Sequence, residues 1–340
     1  MTRAGLIGAG KMGISHYAIL GAHPRVEVAA VCDSAAYVTS ALRRQTGVPT
    51  YKDFRKMIDE AALDCVVVAT PTATHFEAAA YALEHGLHVF VEKPLCLDPA
   101  QSLRLAELAV ARRRANQVGY HNRFIGTFRE ARRLVEAGAL GDVYHVAGSA
   151  FGPVVVRPKT GLTWRARKEE GGGCLHDYAS HVVDLMNFVV GPPEEVASAH
   201  LRAIHSRDVE DAVWAELRYR GGGHGTLEAN WSDPAHRKMS TTIVVYGTRG
   251  KLVADRQELR VHLGPGAGVE GYREGWTIRY ITELQAPVAF YLRGEEYSAQ
   301  LDAFVDAAER GTAVHENSFG SAYETDRVID LVMKAGQRRS

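Results

Sequence analysis

The sequence predicts an α/β protein in which a domain built on a doubly wound parallel sheet precedes a second α/β domain built on an antiparallel one. Three observations carry this. A glycine-rich loop, Gly8-Ala-Gly10-Lys11-Met12-Gly13, lies between the apolar run Ala4 to Ile7 and the helix-like stretch Met12 to Gly21. Apolar runs and amphipathic stretches then alternate to about residue 120, and strand-like runs beyond it recur with antiparallel spacing. At 340 residues and 46% hydrophobic content the chain can bury a large core and is more naturally two domains, 1–120 and 121–340, than one.

The loop has the spacing G-x-G-x-x-G directly after a predicted strand. The three glycines serve different ends, since one turns the chain, one lets backbone N–H groups approach a pyrophosphate, and one allows helix and strand to pack closely. Lys11 and Met12 stand at the positive end of the following helix, facing the phosphates. Alone, such a loop equally describes an ordinary strand-to-helix turn. The next strand, Val26 to Cys32, ends in Asp33, about twenty residues past Gly13, where an acid that binds the adenosine ribose is expected. Strand, glycines, helix, strand and acid in this order predict a Rossmann dinucleotide fold. Asp33 favours NAD over NADP, because its charge would repel a 2′-phosphate. Arg43 and Arg44 are the competing signal, with a solvated basic helix face as the plainer reading.

Helices are expected over Ala35 to Gln45 and Phe54 to Asp59, and a buried parallel strand over Cys65 to Ala69. Thr70-Pro71-Thr72 then starts the amphipathic Ala73 to Glu84 at the carboxyl edge of the sheet, which makes Thr70 and Pro71 expected cofactor contacts. His75 lies near the nicotinamide or is a plain surface histidine. The next strand, His88 to Glu92, runs into Lys93-Pro94; proline fixes its own φ and restricts the residue before it, so Lys93 is held in a set direction, and a cis bond there would aim it inward. A long helix, Pro99 to Arg114, and a last strand, Gln117 to Tyr120, complete the domain.

A helix over Thr127 to Ala137, closed by Gly138, opens the second domain, followed by strands at Val143 to Ser149, Val196 to Leu201, Ala212 to Tyr219, Thr226 to Trp231 and Thr241 to Tyr246. Asp177 and His181 stand four apart on a helix that begins after three glycines, so both project from one face. The pair reads as a helix-stabilising contact or as a catalytic histidine with its acid. His176 would be a third metal ligand, but it directly precedes Asp177 and points elsewhere, so no metal is expected. Five cations in Arg157 to Lys168 form a solvated loop or receive an anionic substrate. Tyr120, Asn122 and Arg123 are expected to line the substrate cleft. Trp231, Tyr246 and Trp276 are expected as sheet and core aromatics, and Tyr297 to Arg310 and Gly320 to Met333 as structural helices around a break at Gly311.

The formal net charge is zero, which argues against nucleic acid as a partner. Cys32, Cys65, Cys96 and Cys174 show no C-x-x-C pairing and are expected as small buried hydrophobes. The longest apolar runs are strand-sized and the start of the chain shows no signal-peptide pattern, so a soluble, cytoplasmic protein with no membrane partner is expected.

Gly8-x-Gly10-x-x-Gly13, Thr70-Pro71, Glu92-Lys93-Pro94 and Gly171-Gly-Gly-Cys-Leu-His-Asp177-Tyr-Ala-Ser-His181 together resemble the signatures of the glucose–fructose oxidoreductase/inositol dehydrogenase family, Gfo/Idh/MocA, in order and over essentially the whole chain. The resemblance implies a Rossmann domain followed by an α/β domain with a large, mostly antiparallel open sheet. It implies NAD(P)-dependent oxidation or reduction at a sugar or cyclitol carbon, with a homodimer or homotetramer built on that sheet. It also places Glu92 among the cofactor contacts and Trp164 and Arg165 along the substrate pocket. Oxidising an alcohol needs a base for the hydroxyl proton, here His181; a donor for the developing oxyanion, here Lys93; and a residue to fix an adjacent hydroxyl, here Asp177. The expectation is an NAD-dependent dehydrogenase with a sugar nucleotide as favoured substrate and inositol or an aldose next. The alternatives are an enzyme that keeps NAD bound while driving elimination or glycoside hydrolysis, and a non-catalytic NAD-sensing regulator.

Overall fold

The computed structural model describes residues 1–156, 164–311 and 317–337. The chain forms two compact units, Met1–His121 with Pro287–Tyr323, and Asn122–Ala286 with Glu324–Ser340.

In the first unit, strands β1 (Thr2–Ile7), β2 (Val26–Cys32), β3 (Thr50–Tyr51), β4 (Cys65–Val68), β5 (His88–Val91) and β6 (Asn116–Val118) form a sheet of order β3-β2-β1-β4-β5-β6. Every pair is parallel. This is the doubly wound dinucleotide order, with its switch point between β1 and β4, where ligands bind at the carboxyl edge. Val66, Val67, Val68, Val89, Phe90 and Val91 are wholly buried, as strands covered on both faces must be. Helices α1 (Lys11–Ala22), α2 (Ala36–Thr46), α3 (Phe54–Glu60), α4 (His75–Glu84) and α5 (Pro99–Ala111) follow the strands as the sequence pattern predicts. The last stops three residues short of the predicted Arg114 because Arg113 adopts φ 52°, outside the helical region.

The second unit holds α6 (Gly126–Glu136), β7 (Val143–Phe151), α7 (Ser180–Val190), β8 (Glu195–Arg202), β9 (Ala212–Arg218), β10 (His224–Asn230), β11 (Ser240–Gly247), β12 (Gly250–Ala254), β13 (Glu258–Leu263), β14 (Gly275–Tyr280) and the short α8 (Ile281–Leu284). Among the described residues its sheet has eight strands in the order β14-β13-β12-β11-β7-β10-β9-β8. All pairs are antiparallel except β7 with β10. One face is the core: Val146, Ile243, Val245, Leu252 and Val261 pack with Leu134 of α6 and Val182, Leu185 and Met186 of α7. Gly148 on β7 lets α7 come close, since a Cβ there would stand 2.5 Å from Val182. On the opposite face a row of cross-strand neighbours, Trp276, His262, Lys251, Tyr246, His145, His224 and Arg218, runs from β14 to β9. Trp276 is thus a sheet residue on the open face, 60% exposed, and of the three expected sheet and core aromatics Trp231 is the one in the core.

Two helices end the chain, α9 (Glu295–Arg310) and α10 (Phe319–Gln337). Residues 287–323, expected within the second domain of 121–340, belong to the first unit. The reason is apolar: Leu301, Phe304 and Val305 form a stripe on α9 that shares a core with Ala4, Leu6, Val67 and Phe90. As predicted, α9 ends at Gly311, whose φ of 64° suits glycine. All four cysteines are buried free thiols, and burial pushes Cys32 and Cys65 up to about 12.

Candidate active site

In the first unit the three glycines of the loop differ physically. Gly8 turns the chain at φ +93°, with a would-be Cβ 2.7 Å from the Ala69 carbonyl. Gly13 lets α1 pack onto the loop, since a Cβ there would stand 1.9 Å from the Gly8 carbonyl. Gly10 faces open space, nothing lying within 4 Å of where its Cβ would be, and as N-cap of α1 it supplies no side-chain cap. The first N–H groups of α1, at Lys11, Met12 and Gly13, are therefore presented to a phosphate. Asp33 accepts hydrogen bonds from the N–H of Ala9 at 2.7 Å and of Ala35 at 2.8 Å. It thereby ties the glycine loop to the end of β2, and a carboxylate has further lone pairs for two ribose hydroxyls. These residues fit NAD. Arg43 and Arg44 are exposed in the last turn of α2, where they complement the helix dipole.

At the edge beyond β4 and β5, Thr74 donates to Thr70 Oγ1 and to the Pro71 carbonyl at 2.8 and 2.9 Å. Lys93-Pro94 is a cis peptide bond. His75 is no surface histidine: it is 1% exposed, with Nε2 3.0 Å from the Thr70 carbonyl and Nδ1 3.0 Å from that of Pro94. Glu92, expected at the cofactor, is turned to His16 of α1, its Oε1 2.6 Å from Nε2, while its Oε2 accepts from the Lys93 N–H at 3.2 Å. Gly119 makes room for it, since a Cβ would stand 3.0 Å from the Glu92 carboxyl. Burial pushes Glu92 up, but the hydrogen bond from His16 and the charges of His16, Lys93 and His121 outweigh it and hold the carboxyl below its ordinary range.

In the second unit Gly171 and Gly173 take φ 84° and 106°, and the chain enters α7 through a π turn, Leu175–Ala179, rather than the α-helix the sequence predicted. Such turns recur at functional sites. Glu210 holds the start of this segment, accepting from the Leu175 N–H at 2.9 Å and filling the space that a Cβ on Gly173 would need. Asp177 and His181 are 4% and 5% exposed. The Asp177 carboxylate accepts from Arg165 Nε at 2.8 Å, and the Arg165 guanidinium lies 4.6 Å from the Trp164 ring. Arg165 is thus a partner of Asp177, and Arg167 pairs with Glu170. Arg157 and Lys159 lie outside the described residues.

The three residues expected to line the substrate cleft are buried. Tyr120 is 0% exposed in the core of the first unit. Asn122, 1% exposed, accepts from Arg256 at 3.2 Å. Arg123 is committed to Asp184 of α7, donating from Nε at 2.9 Å and from Nη2 at 2.6 Å.

Residues 2–120 match the profile of an oxidoreductase family with an NAD-binding Rossmann fold, and residues 128–253 that of the GFO/IDH/MocA C-terminal domain. The chain belongs to the Gfo/Idh/MocA family. It is an oxidoreductase whose first domain binds NAD. Among its relatives in the family, levoglucosan dehydrogenase of Pseudarthrobacter phenanthrenivorans is 26% identical, the match covering 99% of this chain and 96% of that protein. A protein of Amycolatopsis mediterranei described as the oxidoreductase subunit of UDP-kanosamine synthase is 30% identical over 92% of this chain and 91% of its own. A solved structure of levoglucosan dehydrogenase in complex with NADH shares the fold, with TM-score 0.87 at 24% identity, covering 100% of this chain and 98% of that one. Among the described residues no helix is long and apolar enough to cross a membrane.

Sequence reasoning missed His16, Glu210, Asp184 and Arg256. Only His16 left a signal, a polar residue three past Gly13 on a helix whose neighbours Ile19 and Leu20 are core.

Proposed function

We propose that this family member is an NAD-dependent dehydrogenase that oxidises a secondary alcohol carbon of a pyranose. His181 accepts the hydroxyl proton, Lys93 donates a hydrogen bond to the same oxygen, and Asp177 fixes a neighbouring hydroxyl. NAD, held by Gly8, Gly10, Lys11, Met12, Gly13 and Asp33, supplies the hydride acceptor. The observation that supports this best is the Asp177 carboxyl, paired with Arg165 at 2.8 Å and one turn before His181 in a nearly buried segment. A bound carboxylate accepts hydroxyl hydrogen bonds and orients a ring, a role that a pure sensor has no need to combine with a titrating imidazole.

A neutral sugar is the favoured substrate. The case for an anion rested on five cations, of which Arg165 and Arg167 are already neutralised by Asp177 and Glu170. The levoglucosan relative, matching 99% of this chain, points the same way. A sugar nucleotide is the second reading, favoured by the relative assigned to UDP-kanosamine synthesis. We also propose that copies of the chain pair through the open sheet face that carries Trp276 and Tyr246; sedimentation of a lone monomer at working concentration would count against it.

The test is purified protein with NAD and a panel of levoglucosan, glucose, myo-inositol, UDP-glucose and UDP-N-acetylglucosamine. NADH accumulation with a neutral sugar is expected. Accumulation with the nucleotides alone would select the second reading. Product without NADH would indicate a retained cofactor, and no conversion of any kind would leave the regulator.

A further inference from the structure

His75 opens α4 and is almost fully buried, yet every polar contact of its ring that can be named is to main chain. Nε2 stands 3.0 Å from the Thr70 carbonyl, in the loop after β4. Nδ1 stands 3.0 Å from the Pro94 carbonyl and 3.2 Å from that of Leu95, in the loop after β5. The two strands are hydrogen-bonded neighbours, Val68 opposite Val91, so the ring spans two adjacent loops at the carboxyl edge of the sheet. Pro94 and Leu95 are the two residues directly after Lys93. An apolar side chain could fill this volume, but it would leave the buried Pro94 and Leu95 carbonyls without the donor that Nδ1 offers.

We propose that His75 is a positioning residue for Lys93, a brace that sets the lysine's main chain against Thr70 and so fixes where its amine begins. Burial holds the imidazole below its ordinary value, against the pull of the Thr70, Pro94 and Leu95 carbonyls and of Glu92, so near neutral pH the ring carries one N–H. With one N–H the ring donates at one edge at a time, from Nδ1 to the carbonyls that follow Lys93 or from Nε2 to that of Thr70, and only the protonated ring donates at both. The brace is a statement about placement. Only its effect on turnover rests on the catalytic reading of Lys93.

Placement can be read without substrate. Lysines of the full chain are reductively methylated with isotopically labelled formaldehyde and followed by NMR, the Lys93 resonance being the one absent from Lys93→Arg. In His75→Leu the Lys93 resonance and its titration midpoint are expected to move, while those of Lys56 on α3 and Lys251 on β12 stay. His75→Gln, which keeps a donor, is expected to restore Lys93 in part. A Lys93 resonance unmoved in folded His75→Leu overturns the proposal, as does a common shift of all three lysines. His75→Phe is read in the same way if His75→Leu does not fold. If neither folds while His75→Gln does, the histidine is needed for folding itself and the brace is overturned. Turnover is measured alongside: Lys93→Met at the wild-type rate would remove Lys93 from the chemistry and leave the NMR result standing.

Discussion

Arg123→Met removes the cation from a pair whose side chains are 4% and 1% exposed. In the native protein burial pushes the Asp184 carboxyl above its ordinary range, and the charge and hydrogen bonds of Arg123 pull it only part of the way back. Without Arg123 the upward push is opposed, among the described residues, by the Thr325 hydroxyl, which donates to Asp184 at 3.4 Å. The carboxyl then takes up a proton on folding. Against an ordinary value of 3.8, this costs at most about 4 kcal/mol at pH 7, less what the already raised native carboxyl costs the wild type. That agrees with the roughly 3–5 kcal/mol found when one partner of a buried pair is removed. The folded variant binds a proton that the unfolded chain does not, so its deficit shrinks as pH falls, by about 1.4 kcal/mol per unit between pH 7 and pH 5. Melting of the second unit, followed by circular dichroism, is expected to drop by roughly 8–16 °C at pH 7 and by less than half of that at pH 5. Arg123→Met with Asp184→Leu is expected to recover most of the loss, since no buried charge is left unpaired. A melting point within about 2 °C of wild type at pH 7, or a deficit unchanged at pH 5, would refute the structural role and return Arg123 to the substrate contacts.

Lys93→Met and His181→Ala are each expected to keep NAD affinity within a few-fold and to lower kcat by about two to four orders of magnitude, checked by NAD titration and steady-state rates. Asp33→Ser is expected to move the ratio of NAD to NADP kcat/KM toward NADP and to weaken NAD binding, because the carboxylate also anchors Ala9 and Ala35. An unchanged ratio would shift attention to Arg43 and Arg44. Gly13→Ala places a methyl 1.9 Å from the Gly8 carbonyl and is expected to abolish NAD binding in calorimetry; wild-type affinity would contradict the assigned close packing.

The nucleotide unit was readable because its determinants are local. Gly8, Gly10, Gly13 and Asp33 each answer to the backbone or to a ligand within one strand-loop-helix unit, and continuous Val runs announce strands buried on both sides. Strands β12 and β13 were missed for the opposite reason: Lys251, Arg260 and His262 sit on them, and polar residues on an outward face dilute the strand signal; β14 instead carries Trp276, Ile278 and Tyr280 outward, which hides its alternation. The pairing of Arg123 was not legible, because Asp184 stands 61 residues away and pairing at that distance leaves no trace in spacing. Asp177 and His181 were legible as a pair, but the π turn beneath them and the supporting Glu210 depend on tertiary contacts. Nor could local pattern tell which sheet the stripe on α9 would cover.

That stripe has a bearing on synthesis. Leu301 and Phe304 share a core with residues of β1, β4 and β5, so the part of that side of the nucleotide sheet which α1 and α2 leave open stays uncovered until they leave the ribosome. All of residues 122–286 must be translated in between, a delay of roughly 10–30 s at ordinary elongation rates. A fragment ending at residue 121 would carry every dinucleotide signature and still show an oily flank to water. Expressed alone, it would precipitate or recruit chaperones, and the motif that names the cofactor would be poorly served by the segment that contains it.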